Sequence, residues 1–575
     1  MSGAGTAPGR EHPRHRRSGR APRSGWRFLT ARVAGQLRRD PSRTELLRRV
    51  LRALALAWLA AALAAPFALA WGLGHARVEE YVGPHRATFL TDFSGEIQVD
   101  LGPLGNAYLD SPAAPVGLRV EIGGISGSSG GSLFSPETLS AYAALYADPA
   151  EAAGGLLERI RIDVLAESAK AELALLLAVA LWLLRRRLLA PTLVPQISRR
   201  RVLMTWAALS VLVIGSVLAP RPPPGTTRIP LVVEVGGRTW PLSVDSVLLA
   251  ELLDRGIKGV RLLTERQRAD VEAYVRTATL NLSGQLDRLP QARPGETVVF
   301  GYSDLHCNEA MTRLLTGLVA VTDPAVVLSA GDDTVHGTAA ERGCIRREAE
   351  IAGGRPLLVS AGNHDSPVTE QQMQAAGMIV LDGRTVPVDA AGLTVLGDDD
   401  PEHNIPFSVE RTLKRPESQE QLGLRMREAA RAAPADVVVL HQPAAAYPVI
   451  DAADPPARLV IWGHMHAQGG PLVLPHADGS WTVGMQQGTA GGVKQPTIAS
   501  FSTPFSPPLV RADVYFYFRD DATGLITAVQ PVHFNPDATV EISPREPTGR
   551  LADLPERTGD RLRAETPAAT PAPGR

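Results

Sequence analysis

Five times in the second half of this chain, a short run of β-branched and aliphatic residues ends in side chains that seek metal ions. The runs are Val298–Ser303 before Asp304-Leu305-His306, Ala325–Ala330 before Gly331-Asp332-Asp333, Pro356–Ala361 before Gly362-Asn363-His364-Asp365, Asp436–Leu440 before His441, and Arg458–Trp462 before Gly463-His464-Met465-His466. Apolar runs of four to eight residues separated by helical stretches mark strands covered on both faces, and open sheets of such strands bind ligands at their carboxyl edge. Helical patterns at Glu309–Val321, Ala339–Ile351 and Gln419–Ala433 lie between the runs. Strand and helix in alternation predict a layered α/β domain, and Trp481–Met485, Val514–Phe518, Ile526–Val529 and Val540–Ile542 read as strands of a second sheet.

Alternate residues at a strand end point to one side, so Asp304 with His306, and His464 with His466, can each reach one cluster. Mixed carboxylate and imidazole donors suit Zn, Mn or Fe; Mg and Ca prefer oxygen throughout. Seven such donors are too many for one ion and fit two ions sharing a carboxylate. Two ions roughly 3.5 to 4 Å apart form a clamp for displacement at phosphorus.

Taken in order, these blocks resemble the calcineurin-like metallophosphoesterases from Glu296 to about Asn535, less than half of the chain. The resemblance implies a four-layer α/β/β/α sandwich over 296–543 that hydrolyses a phosphate mono- or diester by attack of a metal-bridging hydroxide. It implies that Asp304, His306 and His466 hold one divalent ion (Mn, Fe or Zn), that Asp332 bridges, and that Asn363, His441 and His464 hold the second. His364 is left to bind the phosphoryl oxygen and protonate the leaving alkoxide, a task suited to an imidazole. Asp365 or Asp333 would orient it, or would serve only to support the fold. A metal-stabilised envelope sensor or scaffold without turnover is the alternative, and a nuclease is disfavoured because no basic stripe interleaved with aromatics crosses the region.

Other motifs carry bland readings. His336, His403, His476 and His533 read as core or loop histidines, and Asp398-Asp399-Asp400-Pro401 as a solvated turn before proline. Gly488-Thr489-Ala490-Gly491-Gly492 lacks the Lys-Ser/Thr ending of a nucleotide-binding loop and reads as tight packing near the ligands. No Gly-x-Ser-x-Gly elbow follows any strand.

The first half reads differently. Residues 1–50 carry thirteen Arg against Glu11, Asp40 and Glu45, and are expected to be a disordered cytoplasmic arm touching anionic lipid. Ala53–Leu73 is uncharged and long enough to cross a hydrocarbon core of about 30 Å, so 51–74 is expected to span. Val202–Ala219, ended by Pro220-Arg221-Pro222, is a second expected span. Segment 170–187 has only Leu173–Leu184 free of charge and would span by letting Lys170 and Glu172 snorkel. The Arg-rich linker 188–201 and the predominantly acidic loop after His75 then give a cytoplasmic amino terminus, three spans and an extracytoplasmic catalytic domain. The excess of Arg over only four Lys reads as a GC-rich bacterial genome, giving a multi-pass bacterial membrane protein with the bilayer and a phosphate ester as partners.

Alternating runs over 75–165 predict a small β-rich outer domain, and 226–295 a hairpin followed by a helix opening at Thr264, both leading into the catalytic domain. The tail 544–575 has no core. Two cysteines, Cys307 and Cys344, allow one disulfide in an exported domain; otherwise Cys307 is an extra soft ligand or a small buried residue.

Overall fold

The computed structural model describes residues 41–83, 85–125, 149–188, 204, 206–208, 227–235, 238–405, 410–452, 455–494 and 503–550. Most of the basic arm, most of the Arg-rich linker, nearly all of 202–219 and most of the tail lie outside these residues. Helix α1 (Pro41–His75) carries the uncharged run, with Pro66 inside it. Its stretch Glu45–His75 is the one helix among the described residues long and apolar enough to cross a membrane. Among the described residues one such helix stands where three spans were expected, and the third of these, 202–219, lies almost wholly outside them. Segment 170–187 forms the end of helix α2 (Pro149–Leu188), where charges on both sides confine the apolar run to Leu173–Leu184.

The outer region is a sheet followed by a helix. Strands β1 (Arg77–Val82), β2 (His85–Asp92), β3 (Glu96–Asp100), β4 (Asn106–Asp110) and β5 (Gly117–Ile125) come first in the chain. They are joined by the hairpin β6 (Ile229–Val235) and β7 (Arg238–Val244) in the order β1-β2-β5-β3-β4-β7-β6. The hairpin expected to introduce the catalytic domain thus completes the outer sheet. Its antiparallel seam pairs Ala107 with Val244 and Tyr108 with Ser243. Side chains reinforce the seam: Asn106 N and Nδ2 donate to Asp245 at 2.7 and 2.8 Å, and Arg228 grips Glu96 at 2.8 and 3.0 Å. Ile160 and Val164 of α2 close the core of this sheet against Val78, Ala87, Phe89 and Val120, so the outer region ends in helix, not strand.

Helix α3 (Val247–Ser283) starts well before Thr264. Ser246 caps it by accepting the Leu249 amide, while Thr264 sits mid-helix and donates back to the Val260 carbonyl at 2.9 Å. A Thr followed by polar residues resembles a helix start, and here tertiary packing overrode that signal.

The C-terminal domain holds two sheets. One contains β8 (Glu296–Tyr302), β9 (Val326–Ser329), β10 (Leu357–Val359), β11 (Ile379–Val380), β20 (Ala512–Asp520), β21 (Ile526–Phe534) and β22 (Val540–Ile542), ordered β11-β10-β9-β8-β20-β21-β22, with β23 (Glu546–Pro547) beside β21. The other contains β12 (Val386–Val388), β13 (Leu393–Gly397), β16 (Val437–Val439), β17 (Leu459–Trp462), β18 (Gly469–Pro475) and β19 (Trp481–Gln486), ordered β12-β13-β16-β17-β19-β18. A separate hairpin pairs β14 (Glu402–Asn404) with β15 (Arg411–Leu413).

Strand periodicity assigns each residue to a layer. Val298, Phe300 and Tyr302 of β8 and Val514, Phe516 and Phe518 of β20 pack outward with Val271, Tyr274 and Ala278 of α3 and with α4 (Glu309–Thr322). Their neighbours Val299, Tyr515 and Tyr517 face inward and meet Val437, Val439, Leu459 and Ile461 of the other sheet. Val438, Val460 and Trp462 in turn face α7 (Gln419–Ala432) and α8 (Pro443–Ile450), giving helix, sheet, sheet and helix. Between α4 and α7 lie α5 (Arg342–Ala349) and α6 (Pro367–Ala375). Strands β8, β9 and β10 are mutually parallel, as are β13, β16 and β17, so their carboxyl ends gather at one edge of each sheet.

Candidate metal centre

Each of the five ligand-bearing segments leaves a strand at that edge, after β8, β9, β10, β16 and β17. The chain turns there through unusual backbone. Asp304, His306, Cys307, Asp332, His464 and His466 all have positive φ, between 46° and 71°, a region that costs L-residues about 1 kcal/mol or more each. Gly331 has φ 90°, and a Cβ on Gly463 would lie 1.8 Å from Ser303 Oγ and 2.5 Å from Asp304 Oδ2. No larger residue fits at Gly463 without moving the ligand beside it.

The candidate ligands form two groups. Asp304, His306 and His466 offer donor atoms within 4.8 Å of one another, and so do Asp332, His441 and His464. In the first, His466 Nε2 stands 3.2 Å from Asp304 Oδ1 and 3.2 Å from His306 Nε2. In the second, His441 Nε2 stands 3.2 Å from Asp332 Oδ2 and 3.0 Å from Asn363 Oδ1. Asp332 Oδ2 also reaches to 3.9 Å from His306 Nε2, between the groups.

Backbone carbonyls aim the rings. His306 Nδ1 donates to Thr334 O at 3.0 Å, His441 Nδ1 to Ala330 O at 2.8 Å and His466 Nδ1 to Val493 O at 2.8 Å, which turns each Nε2 inward as a lone pair. Two such lone pairs facing each other across 3.2 Å are favourable only with a cation or a proton between them. The carboxylates are treated alike: Asp304 Oδ2 accepts the His464 amide at 3.0 Å and Asp332 Oδ1 the His364 amide at 2.8 Å, leaving the other oxygen for the cluster. Asp304 Oδ1 is buried without a well-aligned donor. The donor set thus fits divalent ions.

Titration follows the same geometry. Burial pushes Asp304 up, but the charge of His466 outweighs it and holds the carboxyl at about 2. Asp332 lies well below the usual range, burial being outweighed by His441 and His364. Burial and neighbouring imidazoles depress His306 to about 3 and His464 to about 4, keeping both neutral. His441 is raised to about 10 and His466 upward, since Asp332 and Asp304 overcome their burial. A proton on each of those rings occupies the place a cation would take.

Residues 298–468 match the family model of the calcineurin-like phosphoesterases. The chain carries a calcineurin-like phosphoesterase domain. Among solved structures, a novel archaeal phosphodiesterase is 13% identical with a TM-score of 0.22, covering 38% of this chain and 92% of its own. A metallophosphoesterase from Sphaerobacter thermophilus is 14% identical with a TM-score of 0.18, covering 46% of this chain and 98% of its own. No curated protein matches the chain.

Within the phosphoesterase domain, His364 lies outside both groups. Its ring meets His306 edge-on at 4.9 Å, its Nδ1 donates to Val335 O at 2.7 Å, and its Nε2 faces Asn404 Nδ2 at 2.9 Å. Neither Asp333 nor Asp365 touches that ring among the hydrogen bonds of the described residues. Asp365 instead accepts the amides of Asp332, Asp333, Thr334 and Gly362 at 2.8 to 3.3 Å, tying the segment after β9 to the one after β10. Asp333 accepts Ser329 Oγ at 2.6 Å, and burial together with the charge of Glu348 raises its carboxyl well above the usual range. Cys307 and Cys344 are joined, with Cα atoms 5.3 Å apart, fastening the segment after β8 to α5.

One motif differs from its sequence reading. Asp398 and Asp400 are buried, and Asp398, Asp399 and Lys414 form ion pairs with Arg425, Arg415 and Glu370 in place of a solvated turn. His403 adjoins Gly337 beside the His364 carbonyl, and the charge of His364 bears on His336, so both histidines surround the site. Asn404 was invisible in the sequence because three-residue strands carry no periodicity. Gly491 packs on the Leu305 carbonyl, and its amide donates to Asp304 O at 3.0 Å.

Proposed function

We propose that this chain is a membrane-anchored hydrolase of phosphate mono- or diesters, with Asp304, His306 and His466 holding one divalent ion (Mn, Fe or Zn) and Asn363, His441 and His464 a second, bridged by Asp332. The observation that supports it most is His364, a buried-edge imidazole aimed beside both groups and belonging to neither. A site that holds metal only for structure needs no such spare acid. When bound, the two ions would polarise the phosphoryl group and supply a hydroxide nucleophile. His364, steered by the Val335 carbonyl, would pass a proton from Nε2 to the departing ester oxygen as the P–O bond breaks. Asp365 and Cys307–Cys344 keep the ligand segments fixed, so that little reorganisation accompanies the chemistry.

Anchoring is supported by the apolar stretch Glu45–His75 behind a basic arm, which favours a cytoplasmic amino terminus and an outer sheet beyond the bilayer. Because β4 pairs with β7, residues on both sides of the 126–228 connection lie on one side of any membrane. That connection therefore crosses an even number of times, two or none, and the phosphoesterase domain shares the side of the outer sheet. A disulfide at Cys307 agrees with the oxidising side.

The test uses full-length protein in detergent, stripped of metal and then given Mn, Zn or Fe, with p-nitrophenyl phosphate and bis-p-nitrophenyl phosphate. His364→Ala should lower turnover by about 10²- to 10⁴-fold while metal content stays the same. Two bound ions without turnover of either ester would favour a sensor or scaffold.

A further inference from the structure

The hairpin of β14 and β15 lies against the metal centre without belonging to either sheet. Its attachment is tight: the Asn404 amide donates to the carbonyl of Asn363 at 2.8 Å, the Lys414 amide donates to Pro401 O at 2.7 Å, and the buried Lys414 Nζ reaches Gly362 O at 3.3 Å. Antiparallel register sets Asn404 directly opposite Arg411. Side chains of such a pair leave the ribbon on the same face with Cβ atoms about 5 Å apart. Since the Asn404 amide touches His364 Nε2 at 2.9 Å, Arg411 borders the same space.

Two details point to a ligand there. Asn404 Oδ1 is buried with no hydrogen-bond partner, an arrangement that is costly unless a donor arrives. Arg411 is about half exposed and, among the described residues, is held by one carboxylate through Nη1, Glu402 Oε2 at 3.0 Å, which leaves Nη2 and Nε to bind an anion.

Resting on the phosphoesterase reading above, we infer that Asn404 and Arg411 form the subsite for the leaving group, and that this group carries a second anionic function, a carboxylate or a further phosphate. Arg411 binds that anion. In the acid form His364 carries a proton on Nε2; once that proton has gone to the ester oxygen, the bare Nε2 accepts the Asn404 Nδ2 amide, and Asn404 Oδ1 accepts the new hydroxyl. Water oxygen joins phosphorus as one of its protons passes to solvent, the ester P–O bond breaks, and the leaving oxygen takes the Nε2 proton of the imidazolium, which solvent later restores.

The experiment measures competitive inhibition of p-nitrophenyl ester turnover by phosphoglycolate, which carries a carboxylate, and by monoethyl phosphate, which does not. The protein is the full chain, metal-loaded, in detergent. In the unmodified protein phosphoglycolate should bind about five- to tenfold more tightly, Arg411→Ala should bring the ratio near one, and Arg411→Lys should restore part of it. Asn404→Leu should lower kcat by at least about tenfold without loss of metal. Equal affinities for the two compounds in the unmodified protein, or a ratio unchanged in Arg411→Ala, would overturn the anion subsite; unchanged kcat in Asn404→Leu would overturn the role of Asn404. No turnover of any p-nitrophenyl ester is a different failure, that of the phosphoesterase reading itself.

Discussion

Tyr302, the last residue of β8, donates its hydroxyl to Glu348 Oε1 at 2.7 Å beneath the metal loops. Glu348 is fully buried, and burial raises its carboxyl to about 7 while Asp333 beside it is raised as well. The folded chain therefore keeps a proton that the unfolded chain releases above about pH 4.5. Stability from this group is complete below that pH and lost as pH rises towards about 7, by about 3 kcal/mol at most. Glu348→Gln should flatten the fall in urea midpoint between pH 4.5 and 7; an undiminished slope would assign the effect to other groups.

Metal content offers a second check. Elemental analysis of the loaded protein should find about two ions per chain, and His441→Ala should lose about one of them while retaining the fold by circular dichroism. Retention of both would mean that His441 is not a ligand.

Sidedness can be read by labelling. Glu121→Cys on β5 and Thr239→Cys on β7 are both exposed, and they sit in one sheet. An impermeant maleimide applied to intact cells should label both or neither; labelling of one alone would contradict the shared sheet.

Removing the disulfide has a predictable cost. The two cysteines are 37 residues apart, and Cys344→Ser should destabilise the domain by about 2 to 4 kcal/mol through the freer unfolded chain. Because Cys307 follows His306, apparent metal affinity should fall too, measured by competition with a chelator.

Gly463→Ala tests the packing of the loops. The added methyl would overlap Ser303 Oγ and crowd Asp304, so metal affinity should drop by at least about tenfold even where the chain still folds. Unchanged affinity would show that β8 and β17 can separate freely at their ends.

Much of the candidate metal centre was legible because each candidate ligand follows its strand within a few residues. Asp304, His306, Asp332, Asn363, His441, His464 and His466 are local features of a pattern, and parallel pairing alone brings them to one edge. What remained hidden depends on distant partners. Nothing near Ala107 announces Val244, so the hairpin at 229–244 was assigned to the wrong neighbour. The start of α3 was misplaced because Thr264 imitates a cap, and Asp398 was misjudged because the two cations that pair with it, Arg415 and Arg425, meet it only in three dimensions. The carbonyls of Thr334, Ala330 and Val493, which orient the histidines, have no side-chain signature at all.

The seam between β4 and β7 also limits how this protein can be divided. A fragment beginning just after residue 220 would keep β6 and β7 as a two-stranded ribbon cut from its sheet, which is marginal in water, and would leave β4 paired on one side only in whatever remained. Each piece would display an open edge, an invitation to aggregate. The sheet of β1 to β7 and the C-terminal domain are therefore not separable cassettes; the two must fold and be purified as one object.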